Sequence, residues 1–129
     1  MTRMDSNKDI IFKDLSYEIM AAAYEVHNTL GSGFLEKVYE NALLIELQTR
    51  GLNVTAQKEL DVFYRNQRVG LYVADIVVNN EVVLELKATE FLQKAHEAQL
   101  LNYLKCTGCR LGILINFGKE RVESKRFVL

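Results

Sequence analysis

Apolar positions along the chain fall into two regimes of different period. From Asp14 to Leu30 they recur at helical spacing, as Leu15, Ile19, Ala22, Ala23, Val26 and Leu30, which is one face of a helix. Asp14 or Ser16 can cap its start and Gly31 can end it. A second helix is predicted from about Phe34 to Arg50, with Leu35, Val38, Ala42 and Ile45 on one face and Gly51 closing it. The chain then turns β-rich: Val54 to Tyr64, a turn over Arg65–Arg68, Val69 to Val78, a turn signal at Asn79-Asn80, and Glu81 to Ala88. Helical spacing returns over Lys94 to Thr107, with Ala95, Ala98, Leu101 and Leu104 at core positions. A short buried strand at Leu111–Asn116 and an edge strand within Arg121–Leu129 complete the order α-α-β-β-β-α-β-β. That order predicts an α/β domain with a central mixed β-sheet flanked by helices.

Composition sets bounds around this pattern. With 129 residues and 49% hydrophobic content, residues 1–129 read as one globular domain, with residues 1–13 as a loosely ordered N-terminal segment. A chain of this size buries roughly two thirds of its unfolded surface, enough for a core without metal or disulfide staples. No apolar run approaches the roughly 18 residues of a membrane span, and Met1 to Lys8 lack the apolar core of a signal peptide. The expected location is the cytoplasm, with no membrane partner. Net charge is -1, so any nucleic-acid binding must rely on local cations, which gather at Arg50, Lys58, Arg65, Arg68, Lys87, Lys94, Lys105 and Arg110. Cys106-Thr107-Gly108-Cys109 ends a helix rather than starting one, so the dipole that activates redox pairs is on the wrong side. Two ordinary reduced thiols are expected there, and His27 is expected as a packed helix residue.

The charged residues in the β-rich part carry the chemistry. Glu85-Leu86-Lys87 closes the apolar run Val82-Val83-Leu84, and Asp75 lies near the end of the run before it. Residues two apart in a strand share a face, so Glu85 and Lys87 point the same way. Such a pair on a buried strand stabilises a sheet poorly but suits a site that holds a divalent cation against a phosphate. Asp75 and Glu85 face each other only if the hairpin register centres on residue 80, which requires an odd loop such as Asn79 to Glu81, or a bulge. A two-residue Asn79-Asn80 turn would instead send Glu85 to the other face.

Gly33-Phe34-Leu35-Glu36-Lys37-Val38-Tyr39, with Asp75, the Glu85-Leu86-Lys87 triplet and His96-Glu97-Ala98-Gln99-Leu100-Leu101-Asn102-Tyr103, resembles the GxxExxY protein family of the PD-(D/E)xK nuclease superfamily. The likeness runs from about Leu15 to Phe117, and Gln99 with Tyr103 also resembles the QxxxY element of RecB-like nucleases. Ala74 stands where the superfamily label has proline. The resemblance implies a restriction-endonuclease-like core and a metal-dependent nuclease site. In it, Asp75 and Glu85 are metal ligands, Lys87 is the catalytic lysine, and Glu36 is an added acid from a neighbouring helix. Gln99 and Tyr103 support the site, and His96 from the same motif stands beside them.

Magnesium or manganese would suit that donor set, since Mg²⁺ prefers oxygen ligands and is usually held by one or two carboxylates with water and phosphate. The backbone carbonyl of Leu86, between the two side chains, is a further candidate ligand. The leading expectation is a Mg²⁺- or Mn²⁺-dependent phosphodiesterase acting on nucleic acid, DNA ahead of RNA. The alternative is a nuclease-fold binding module that cleaves nothing, in a nucleic-acid-processing assembly. A homodimer would supply a second site.

Overall fold

The computed structural model describes residues 12–129; most of the expected loose N-terminal segment, residues 1–11, lies outside the described residues. The elements are α1 (Lys13–Leu30), α2 (Glu36–Thr49), β1 (Val54–Tyr64), β2 (Gln67–Val78), β3 (Val82–Lys87), α3 (Lys94–Thr107), β4 (Leu111–Asn116) and β5 (Glu123–Val128), in the predicted order. The strands form one sheet in the order β1-β2-β3-β4-β5. It is mixed: β3 and β4 run parallel, and the other neighbours are antiparallel. A parallel pair needs a crossover, and α3 supplies it.

Helices cover both faces, so the sheet separates two cores. Ile19, Val26, Tyr39, Leu43 and Leu47 of α1 and α2 pack on Ile76, Val82, Leu84, Leu86 and Ile113. On the other face Leu100, Tyr103 and Leu104 of α3 pack on Leu60, Ala74, Val77, Val83 and Leu114. Burial on both sides explains the unbroken apolar runs of β3 and β4. Since Val83 faces α3, alternation puts Glu85 and Lys87 on the α3 side as well. Close contact there depends on Gly112, where a Cβ would meet the Leu100 side chain at 2.9 Å.

The α1 helix buries the expected Ile19, Ala22, Ala23 and Val26. Neither Asp14 nor Ser16 caps it; the chain enters through Phe12 in a left-handed turn with no side-chain cap. Gly31 closes it at φ 75, its N–H donating to the His27 carbonyl. His27 is buried, its Nε2 lies 2.9 Å from the Lys119 carbonyl oxygen, and its ring stacks on Phe117.

The α2 helix presents a different face from the one its pattern predicts. Tyr39, Glu40, Leu43 and Leu47 are buried, whereas Leu35 and Ile45 are 80% and 66% exposed. Tyr39 decides the orientation. Its ring stacks on Phe117 with centroids 4.7 Å apart, and its hydroxyl donates to the Gly31 carbonyl at 2.5 Å. An aromatic ring with a satisfied hydroxyl buries more area than Val38 or Ala42 offers. The α3 helix is turned in the same manner: Leu100, Tyr103 and Leu104 are buried, Leu101 is partly buried, and Ala95 and Ala98 are exposed.

β1 and β2 change face halfway along. Val54 packs toward α1 and α2 while Leu60 packs toward α3, although strict alternation would put both on one side. Ala74 and Val77 both belong to the α3 core, which strict alternation also forbids. The ladder pairs Ala56 with Ile76 and Lys58 with Ala74, skipping Gln57 opposite Asp75. Gln57 has φ 50, so the inversion is centred on these two residues.

Candidate functional site

The β2–β3 ladder runs Val78↔Val82, Val77↔Val83 and Ile76↔Leu84, the register centred on residue 80. Asn79 and Asn80 take φ 52 and 56, and the Glu81 N–H donates to the Val78 carbonyl at 2.9 Å. Asparagine tolerates this left-handed backbone, so Glu81 enters as the third loop residue. One step beyond the ladder, Asp75 stands opposite Glu85, and side chains take over from backbone pairing. The Asp75 N–H donates to Glu85 Oε1 at 3.3 Å, and the Leu86 N–H donates to Asp75 Oδ2 at 2.8 Å.

Glu85 is 3% exposed. Burial, then the charge of Asp75, pushes its carboxyl up to about 8, against the pull of the Asp75 amide and Lys87. Asp75 is also raised, chiefly by burial; the Leu86 amide opposes this, while Glu40 and then Glu36 add to it. Lys87 Nζ lies 4.0 Å from Glu85 Oε2 with its side chain 16% exposed. One cation therefore faces two acids held close by their strands.

Of the residues expected to support the site, Tyr103 lies in the α3 core and shares a hydrogen bond with Gln99. Its hydroxyl is pushed up to about 12 by burial and by Glu85 and Asp75, so it stays protonated and able to donate. Tyr72 packs against it with ring centroids 5.6 Å apart. The Gln99–Tyr103 side of α3 thus lies toward Glu85, and Leu100 and Leu104 pack into the core while Ala98 is exposed. His96 Nδ1 accepts from the Gln93 N–H at 3.1 Å, closing the capping box of α3. Its pKa is lowered by burial and by Lys87. The Leu86 side chain points into the opposite core, leaving its backbone at the site. Glu36 is the exposed first residue of α2, and it reaches the cluster as a charge felt by Asp75.

Two residues were not singled out from the pattern. Glu40 is 5% exposed and its oxygens accept from Gln57 Nε2 at 3.0 and 2.9 Å. Its signal was its place four residues after Glu36, on the face of Tyr39 and Leu43. Asn116 is fully buried beside Lys87 in the β3–β4 register. Its Oδ1 accepts from the Thr89 and Gly118 N–H groups at 3.0 Å each, and its Nδ2 donates to the Thr89 carbonyl at 3.0 Å. Those bonds fix the chain leaving Lys87, and the one polar residue ending Leu111–Asn116 was the clue. Cys106 and Cys109 are free thiols. They border a cavity of about 320 Å³ that includes none of Glu36, Glu40, Asp75, Glu85 or Lys87.

Among the described residues, no group of three His, Cys, Asp or Glu forms a ready metal cage. Asp75 and Glu85 nonetheless fit a hard divalent cation. Both offer oxygen donors, a Mg²⁺ site needs only one or two carboxylates, and burial, then neighbouring acids, disfavours their charged forms, which a bound cation would offset.

A mixed five-stranded sheet between helices defines the restriction-endonuclease-like fold. The model of the PD-(D/E)XK nuclease superfamily matches residues 13–127, and the chain belongs to that superfamily. The crystal structure of SSO0001 is similar in fold, with TM-score 0.56 and 18% identity over 71% of this chain and 48% of that one. This chain thus spans about half of that protein's length. No curated protein matches the chain. Nucleases of the superfamily generally use divalent metals.

Proposed function

We propose that this protein is a metal-dependent nuclease that hydrolyses phosphodiester bonds of nucleic acid, DNA ahead of RNA. The Asp75–Glu85 pair carries the reading: two carboxyls, one 3% exposed, held across a hairpin beside a lysine. Structural acids are rarely buried together, and here burial disfavours the charge of both while Asp75 further disfavours that of Glu85. Asp75 and Glu85, with the Leu86 carbonyl and an acid from α2, would hold Mg²⁺ or Mn²⁺. The bound ion supplies polarisation of the phosphoryl group and a more acidic water.

The chain's own groups then divide the work. Lys87, anchored by Asn116 and its loop, aims a compact positive charge at the attacking water or the phosphoryl oxygens. Tyr103 keeps its proton and, with Gln99, holds the acids from the α3 side.

The test is a cleavage screen with Mg²⁺ and Mn²⁺ over single-stranded, double-stranded and branched DNA and RNA, paired with calorimetric Mn²⁺ titration. Asp75→Ala and Lys87→Ala should each lower turnover on the order of 10²–10³-fold. Asp75→Ala should also weaken Mn²⁺ binding, which Lys87→Ala should spare because an ammonium ligates no cation. Undiminished cleavage in both variants would remove the site assignment. Metal binding without cleavage of any substrate would favour the binding module.

A further inference from the structure

Gln57 is a strained residue at the edge of the acidic cluster. It lies opposite Asp75 at the skipped position of the β1–β2 ladder, and its φ of 50 puts a non-glycine residue in the left-handed region. That conformation is unfavourable for L residues, and observed strain of this kind clusters at functional sites. A twisted hairpin alone would account for a skipped pair. It would not account for the side chain of this exposed residue, whose Nε2 donates to both oxygens of Glu40 at 3.0 and 2.9 Å. Lys37 also reaches Glu40, at 3.3 Å, but its side chain is 62% exposed, and such surface pairs fix little. Among the charges acting on Asp75, Glu40 comes ahead of Glu36.

The geometry points to Gln57 as a positioning residue. From the point where both strands change face, its amide holds the buried Glu40 as the third acid beside Asp75. Glu40, rather than the exposed Glu36, would then be the α2 acid that joins Asp75 and Glu85 when a divalent cation draws them together, since the three form no ready cage without it. This inference rests on the proposed metal-dependent reading. One nitrogen spanning both oxygens leaves a lone pair on Oε1 free for a cation, while Oε2 also accepts from Lys37 Nζ, and the φ > 0 backbone lets Gln57 reach across.

The experiment compares calorimetric Mn²⁺ binding and metal-free thermal melting of the full chain with those of Gln57→Gly, Gln57→Asn, Glu40→Gln and Glu36→Gln. Glycine is at ease at this φ, and asparagine tolerates it but is one methylene too short to reach Glu40. Both variants should therefore melt close to the parent and yet bind Mn²⁺ about 10–100-fold more weakly, as loss of an outer partner of a ligand does. Glu40→Gln should weaken binding more than Glu36→Gln. Parent-like Mn²⁺ affinity in both Gln57 variants would overturn the inference while leaving the nuclease reading intact. So would a larger loss in Glu36→Gln than in Glu40→Gln. A parent protein that binds no Mn²⁺ would overturn both.

Discussion

Glu85 has its charged form disfavoured twice, by burial and by Asp75. The folded protein holds its proton up to about pH 8, whereas an unperturbed glutamic acid loses it near 4.5. Linkage fixes the sign: stability contributed by the protonated form is complete below about 4.5 and is lost as pH rises to about 8. Without divalent cations, melting temperature should fall across that interval, by an amount on the order of 10 °C. Glu85→Gln, neutral throughout, should flatten the curve, and saturating Mn²⁺ should do so in the parent by balancing the charge. Thermal melts at a series of pH values in EDTA check this; an equal slope in parent and Glu85→Gln would place the titrating group elsewhere.

At the scale of elements, the order and type of the described helices and strands are legible in periodicity, whereas the β2–β3 register stays open in the sequence between an odd loop and a two-residue turn. Helix orientation stays open as well. On α2, Leu35, Val38, Ala42 and Ile45 make as regular a stripe as Tyr39, Leu43 and Leu47. The choice depended on Phe117, a distant residue that gives Tyr39 a stacking partner. Choosing the wrong stripe hid Glu40, which lies on the buried one. The inversion at Gln57 was hidden for a related reason: neither glycine nor proline marks it. Ile45→Ser should therefore change stability by no more than about 0.5 kcal/mol, as surface substitutions do. Leu43→Ala should cost about 2–5 kcal/mol as a core truncation. Denaturant unfolding of the two variants separates these faces, and a reversed ranking would mean that α2 is turned the other way.

For the molecule as a whole, charge limits how substrate can be held. Net charge is -1, and Glu36, Glu40, Asp75 and Glu85 crowd one region around Lys87. Two of the local cations are engaged elsewhere: Arg50 with Glu18 and Glu46, Arg68 with Asp61. A polyanion should meet repulsion at this site until cations offset it. In the Lys87→Ala protein, a labelled oligonucleotide should bind weakly in EDTA and about tenfold or more tightly with Mn²⁺. Fluorescence anisotropy measures this, and equal affinity in both conditions would put the main grip on a surface away from the acids.

The Leu86 N–H gives its hydrogen to the side chain of Asp75 at 2.8 Å rather than to a neighbouring strand's carbonyl on that side. Its exchange with deuterium should therefore depend on that carboxylate as well as on opening of the hairpin. Whatever draws Asp75 away, whether a proton or an ion, will be registered in the solvent exchange of a main-chain hydrogen. The protein thus carries within its backbone a label-free gauge of whether its acidic site is engaged, legible with no substrate present.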